Sequence, residues 1–511
     1  MLWHPTKREL LKRSLLAAPA LILPRRGLAW PAHGQAFGGM VYPFPNALNT
    51  GVGFGPAPTT VAALQALPTY SGANPYVTTG GTISGVKFTS DITIAANNVT
   101  ISGCYMDNAT VYIGSSGALG LYGGLTVQNC YMVSTDGRPF LYIQAVANNL
   151  NASFSGTAMT ANSVNGTLAI GQYPNVYSQV QTAGFPTLLQ ISGGSSPNWI
   201  VNQSCPTAST GAVNLANVWP GLMNYVKNCE ASCTPSAGGD AIYAAWLTMT
   251  GCNFHGWSKV LNAQGPNCTF TGNYFWNIQT SGEHTEFISW NGAGEALTVT
   301  GNTLATEGGD TTMIFCAADF GWIINCTISN NLLVGGPSYT LYAADNPNEF
   351  LNVVVQNNQM GLVAGQNGYF YSGYSASQPG TSGNYDYLLG QLIDPNNTYG
   401  TGWKLIPNTA PVIVSFLSSG NVTEPAFTPD NAAFATYATT ALTFTLKGAS
   451  AAGDTIAIYQ DGSASPLGTA TANGSTGIWT YTVTATAGVH YYVAKDTTLS
   501  LSSAKFYVNV Q

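Results

Sequence analysis

Charged side chains are scarce in this chain. Asp, Glu, Lys and Arg make up 7% of 511 residues, fourteen Lys and Arg against twenty-one Asp and Glu. Six of those cations stand before residue 30. The rest of the chain therefore has too few to neutralise a phosphate backbone, and nucleic acid is excluded as a partner. No apolar run reaches the roughly 18 residues that cross a bilayer as a helix. The five histidines are unclustered and no Cys-x-x-Cys occurs, so there is no structural zinc pattern. What the chain has instead is 58 glycines and an apolar fraction of 45%, which is neither a disordered acidic composition nor that of an ordinary cytosolic enzyme.

One short pattern recurs eight times. Its copies end Thr-Ile-Ser-Gly-Cys104, Thr-Val-Gln-Asn-Cys130, Tyr-Val-Lys-Asn-Cys229, Thr-Met-Thr-Gly-Cys252, Thr-Phe-Thr-Gly-Asn273, Thr-Val-Thr-Gly-Asn302, Thr-Ile-Ser-Asn-Asn331 and Val-Val-Gln-Asn-Asn358. The last six are 21 to 29 residues apart. That period, with a strand-like unit in each copy, predicts a solenoid whose coils bury their apolar sides only against one another. Polar and apolar residues alternate within each copy, the period of a half-buried strand. The fold expected is an all-β parallel β-helix in which Asn273, Asn302, Asn331 and Asn358 stack about 4.8 Å apart. Cys104, Cys130, Cys229 and Cys252 fill the same slot as small apolar side chains. Buried free thiols follow for these four, while Cys205 with Cys233, or Cys316 with Cys326, are pairs open to an oxidising compartment.

In chain order, residues 1–32 carry a basic stretch, Lys7-Arg8 to Lys12-Arg13, and then a short apolar run. They resemble a bacterial export signal of the twin-arginine type with Lys-Arg for the Arg pair. Residues 33–79 are a Gly- and Pro-rich leader that caps the solenoid, and 80–147 its first part. Residues 148–220 lack the pattern and read as a small all-β insertion. The solenoid resumes over 221–372, followed by a loop-rich cap and linker at 373–408. From 409 to 511, alternating strands such as Thr455-Ile456-Ala457-Ile458-Tyr459 and Trp479-Thr480-Tyr481-Thr482-Val483 predict a separate β-sandwich. This part resembles the immunoglobulin-like modules of exported bacterial proteins.

Each coil offers a further strand: Ala241-Ile242-Tyr243-Ala244, Lys259-Val260-Leu261-Asn262, Glu286-Phe287-Ile288-Ser289, Thr312-Met313-Ile314-Phe315 and Tyr339-Thr340-Leu341-Tyr342. Aligned by their third members, they place Tyr243, Leu261, Ile288, Ile314 and Leu341 inward. Asn262, Ser289, Phe315 and Tyr342 then form an outward polar and aromatic strip of the kind that sugar rings stack on, or else an ordinary exposed sheet face. Just before these strands come Glu283, His284, Glu286 and Asp310. The alignment sets Glu286 beside Lys259 and Asp310 beside His284. Strict alternation turns Lys259 and Glu286 inward, so the expectation requires a bend at the coil corner. A cluster of ionisable groups in so uncharged a chain is the candidate site, and a salt-bridged surface turn is the plainer alternative.

The run Gly282-Glu283-His284-Thr285-Glu286-Phe287-Ile288-Ser289-Trp290, with Thr298-Val299-Thr300-Gly301-Asn302 and Ile328-Ser329-Asn330-Asn331-Leu332, resembles the secreted right-handed β-helix proteins of the pectin-lyase-like superfamily. Members commonly carry His-Thr-Asp-Gly-Ile-Gln at the first of these places; here Glu286 replaces the Asp and Phe287 the Gly. The resemblance implies a right-handed solenoid and a polysaccharide substrate or ligand. It leaves open hydrolysis, elimination or binding without catalysis. A hydrolase uses two carboxyl groups, which Glu283, Glu286, Asp310 and Asp319 supply. Glu286 and Asp310 would lie about 8 Å apart by strand spacing, within the roughly 6.5–9.5 Å of inverting enzymes. The expected catalytic set is Glu286, Asp310, His284 and Glu283. Sugar contacts are expected from Lys259, Asn262, Ser289, Trp290, Phe315 and Tyr342. No cofactor is implied, and calcium enters only if the chemistry is a lyase's, in which case Lys259 is the base.

Overall fold

In the computed structural model, the residues described are chiefly 59–113, 122–143, 147–166, 168–174, 189–234, 238–263, 265–278, 284–290, 294–306, 311–316, 323–335, 338–343, 350–361 and most of 436–510, with short stretches elsewhere. Residues 59 to 386 are dominated by three parallel sheets that wind as a right-handed β-helix. One coil shows the plan: Leu247–Thr250 lies in the first sheet, Asn253–His255 in the second and Lys259–Ala263 in the third. Each strand pairs in parallel with its equivalent one coil on, as Met249 does with Phe270, Phe254 with Phe275 and Leu261 with Ile288. Alternation decides what is buried. Val226, Met249, Phe270, Val299 and Ile328 face inward from the first sheet and are fully covered, while Thr248, Thr269 and Thr298 stand outward between them. The second sheet contributes Met132, Phe254, Phe275 and Leu304 to the same continuous core.

The turn between first and second sheets explains the recurring motif. Gly103, Gly251, Gly272 and Gly301 have φ of 60–68°, and Asn129, Asn228, Asn330 and Asn357 have φ of 50–56°. This left-handed corner suits Gly without strain and Asn better than other side chains. The next residue points into the coil and forms the ladder. Asn302 Oδ1 accepts from the Asn273 backbone N–H and Nδ2, both at 2.9 Å, while Asn302 Nδ2 donates to the Phe270 carbonyl at 2.9 Å and to Asn331 Oδ1 at 3.1 Å. Asn331 and Asn358 repeat the arrangement. Cys252 joins the two halves of the ladder, its N–H donating to Asn273 Oδ1 at 3.0 Å.

The ladder runs further than the sequence pattern suggests. Asn358 Nδ2 donates to Asn384 Oδ1 at 2.9 Å, and Thr381–Ser382 and Tyr385–Asp386 pair in parallel with the coil before. The helix therefore does not stop at residue 372, and Thr381-Ser382-Gly383-Asn384, expected to be loop, is one more copy of the motif. Ala147–Gly166 and Asn198–Trp219 form a long antiparallel hairpin between Leu141–Ile143 of the third sheet and Asn224–Lys227 of the first. It buries its own cluster of Leu150, Phe154, Met159, Ile191, Trp199 and Val201. In the C-terminal part, largely antiparallel strands close over Phe444, Ile456, Trp479, Tyr492 and Val508. All nine cysteines are free and buried, so neither Cys205 with Cys233 nor Cys316 with Cys326 is bonded. No helix among the described residues is long and apolar enough to cross a membrane. The export signal expected at residues 1–32 lies outside the described residues.

Candidate functional site

The site is created by an interruption of alternation where the chain enters the third sheet. Two consecutive residues turn into the core there in each central coil: Ala241 and Ile242, Val260 and Leu261, Phe287 and Ile288, Met313 and Ile314. Two inward residues in succession require the bend anticipated at the corner. The residue before each pair is thereby displaced from the core although its parity matches the second buried residue. Those preceding residues are Asp240, Lys259, Glu286 and Thr312, the first three in register on three successive coils.

The displaced side chains meet. Lys259 Nζ lies 3.8 Å from Glu286 Oε2, and His284 Nδ1 lies 3.9 Å from Glu286 Oε1. Asp240 Oδ2 accepts from Asn262 Nδ2 at 2.8 Å, which ties the acid to the outer face. Exposure separates the roles: the Glu286 side chain is 1% exposed and that of Lys259 14%, whereas that of His284 is 76% exposed. A carboxylate this covered needs a neighbouring cation to offset its lost hydration, and Lys259 supplies one. The His284 ring also stands edge-on to Phe315, with centroids 6.5 Å apart.

Next to the corner runs the outer column of the third sheet. Asn262, Ser289, Phe315 and Tyr342 are in register as expected. They are not equally open: Asn262 and Tyr342 are half-buried, while Ser289 and Phe315 are buried. Ser289 is short and sits between longer neighbours, and Phe315 is packed between His284 and Tyr342, whose ring centroid is 4.6 Å away. Two expectations are corrected. Trp290 is wholly buried, because it lies two residues beyond the inward Ile288, and it cannot touch a sugar. Tyr243 is outward rather than inward, since Ile242 and not Tyr243 pairs with Leu261. The column accordingly extends through Tyr243, Tyr142 and Tyr112. The signal that finds the right register is the apolar doublet Ala241-Ile242, equivalent to Val260-Leu261 and Phe287-Ile288; the same register brings Asp240 into the cluster.

Glu283, Asp310 and Asp319 lie outside the described residues. Among the described residues no three His, Cys, Asp or Glu side chains converge as a metal site.

No protein-family model matches the chain, and no curated protein matches it. Among solved structures it is similar to phage tailspikes. One is a variant tailspike protein of E. coli bacteriophage HK620 in complex with a hexasaccharide, at 12% identity over 81% of this chain and 67% of that one, with a TM-score of 0.24. Another is the tailspike of Acinetobacter baumannii bacteriophage AP22 in complex with A. baumannii capsular saccharide, at 8% identity over 72% and 82%, with a TM-score of 0.20. Likenesses this distant assign neither activity nor residue roles to this chain.

Proposed function

We propose that this protein binds a polysaccharide along the outer face of its third sheet and cleaves it by glycoside hydrolysis at the corner beside Asn262. The observation that carries the reading is the convergence of Lys259, Glu286 and His284 on one corner of a chain otherwise poor in charge, directly beside an aromatic column. Glu286 and Asp310 are the two carboxyl groups such a reaction requires, one to protonate the leaving oxygen and one to activate water. His284 is the open member of the set. From 3.9 Å, a small side-chain rotation brings it within reach of Glu286, and the loose spacing suits a site before substrate closes it. Elimination is disfavoured because its base would be Lys259, whose side chain is engaged with Glu286 at 3.8 Å. Calcium, expected only with elimination, has no part in the hydrolytic reading. Export and an immunoglobulin-like spacer role for the C-terminal part belong to the same reading.

The covered state of Glu286 favours a second reading, in which the ion pair is structural and the face binds saccharide without cutting it. One experiment separates the readings. The full chain is incubated with a panel of polysaccharides, and both reducing-end release and the ultraviolet absorbance of unsaturated uronate products are followed. Hydrolysis gives new reducing ends without the absorbance, elimination gives both, and a binding protein gives neither while still retarding in affinity gels.

A further inference from the structure

The outer column does not begin at Asn262. On the N-terminal side of the ionic corner, Tyr112, Tyr142 and Tyr243 occupy its three preceding rungs, each in register with the next through the Leu141 and Leu261 rows. Their rings follow one another at centroid distances of 5.6 and 4.9 Å with interplanar angles of 40° and 37°. All three are half-buried, so none is sealed into the core. From Tyr112 to Tyr342 the column has seven rungs, about 29 Å at the spacing of parallel strands. No rung carries a carboxylate or an ammonium. The 147–219 hairpin leaves the chain immediately after Ile143, at the edge of the rows that hold Tyr142 and Tyr243, and its Tyr173 packs on Trp246 with centroids 4.6 Å apart. The tyrosine rungs therefore lie between the hairpin's root on one side and the charged corner on the other.

We propose that Tyr112, Tyr142 and Tyr243 are a binding track for successive rings of an electrically neutral polysaccharide lying along the helix axis. The ligand class rests on the carbohydrate reading above. Tyrosine offers both an apolar edge for sugar C–H groups and a hydroxyl for sugar oxygens, and the tilt of each ring leaves part of its face uncovered. One tyrosine per coil suits a polymer whose repeat is one ring per rung. Neutrality follows from the charges around the track. Arg138, the cation two coils upstream at the same corner, bonds Asp136 at 2.8 Å and Asp91 at 3.0 Å, and Lys259 faces Glu286. With Asp240 added, the described residues of the corner include four carboxylates, Asp91, Asp136, Asp240 and Glu286, against two cations. A polymer bearing a carboxylate on every ring would meet repulsion there and no unengaged cation among these residues.

The test measures affinity electrophoresis and calorimetric binding of the full chain to a neutral glucan, mannan and galactan and to the anionic polygalacturonate and alginate. Wild type, Tyr142→Ala, Tyr243→Ala, Tyr142→Phe and the remote control Tyr225→Ala are compared after thermal melts have shown which variants fold. Wild type is expected to retain at least one neutral polymer. Tyr142→Ala and Tyr243→Ala should each weaken that binding about tenfold, Tyr142→Phe by less, and Tyr225→Ala not at all. Neutral polymer bound equally by wild type and the folded tyrosine variants overturns the track and leaves the carbohydrate reading intact. Preferential retention of the anionic polymers overturns the neutral assignment. Wild type that retains no polymer of either class overturns both the track and the reading beneath it. If the alanine variants do not fold, Tyr142→Phe decides alone, and binding unchanged from wild type counts against the track.

Discussion

Lys259 and Glu286 are register partners on adjacent coils, with Nζ 3.8 Å from Oε2, although both share the sequence parity of the core residues Leu261 and Ile288. The doublets Val260-Leu261 and Phe287-Ile288 resolve the conflict by taking two inward positions in succession. Burying the extra apolar residue in each coil drives the bend, at about 1.5–3 kcal/mol per large side chain. The ionic corner is thus a consequence of core packing, and its geometry depends on that packing.

The Asn ladder should be sensitive to loss of a single member. Asn302 makes four hydrogen bonds through its side chain, to the Asn273 N–H and amide, the Phe270 carbonyl and Asn331. Asn302→Leu keeps a similar volume but strands the backbone N–H of Asn273 and removes the acceptor of its Nδ2, while Asn331 Oδ1 keeps only the backbone N–H of residue 302. The expected cost is about 1–3 kcal/mol, read as a lower denaturant midpoint at unchanged slope. A midpoint equal to wild type would show that the ladder relaxes around the gap.

Thiol chemistry offers a check on core closure. Burial raises the Cys205 thiol to about 11 and the Cys268 thiol to about 12, and it holds Cys229 well above the ordinary range. The thiolate is the reactive form, so a thiol-specific label at neutral pH should leave the folded chain unmodified and titrate all nine cysteines once it is unfolded. Rapid labelling of any ladder cysteine in the folded chain would contradict the packing.

Much of this was readable in the sequence, for a physical reason. A solenoid repeats its local environment, so Gly or Asn at a left-handed corner and Asn or Cys inside it recur at nearly fixed spacing. What failed was one-residue register and extent. Alternation alone puts Tyr243 inward, because it does not show where a doublet breaks it. The coil holding Asn384 escapes the pattern because Thr381-Ser382-Gly383-Asn384 lacks the central Val, Ile or Phe that marks the other copies. Trp290 belonged to the motif run, but its parity with Ile288 already placed it in the core.

A pH effect is expected in the C-terminal part. His490 Nδ1 lies 2.7 Å from Asp461 Oδ2, and Nε2 lies 2.9 Å from the Thr486 carbonyl. Partial burial works to lower the His490 pKa, but the hydrogen bonds and the Asp461 charge together raise it. Burial works to raise Asp461, and hydrogen bonds from His490, the Tyr491 N–H and Gln460 outweigh it. A raised histidine gives stability that is complete below its unfolded value of about 6.5 and is lost as pH rises through the folded value. A lowered aspartate gives stability present above about 3.9 and lost as pH falls. The pair is therefore strongest between those limits, and with Asp461 well exposed it contributes no more than about 1 kcal/mol. Hydrogen exchange of the 488–496 peptide should be faster in His490→Ala than in wild type near pH 5.5, with the gap closing by about pH 8.5. A gap independent of pH would assign the effect to packing.

The reaction is tested at Glu286, His284 and Lys259 of the corner and at Asp310, and the structure dictates which substitutions are informative. Glu286→Gln and Asp310→Asn should each remove a proton-transfer partner and lower turnover on an established polysaccharide by roughly a hundredfold or more, with the fold retained. His284→Ala should impair turnover with little effect on stability, since that side chain is exposed. Lys259→Ala is a poor control, because it leaves the covered Glu286 carboxylate without its cation and threatens the fold at a cost of about 3–5 kcal/mol. Lys259→Arg is better. It keeps the positive charge beside Glu286 but replaces the amine with a bulkier and far weaker base. A hydrolase built on the carboxyl groups should retain most of its turnover in Lys259→Arg, whereas a lyase that uses the amine should lose it. Near wild-type rates in both carboxylate variants would move the chemistry away from this pair, and Asp240, the remaining described acid of the cluster, would be the next to substitute.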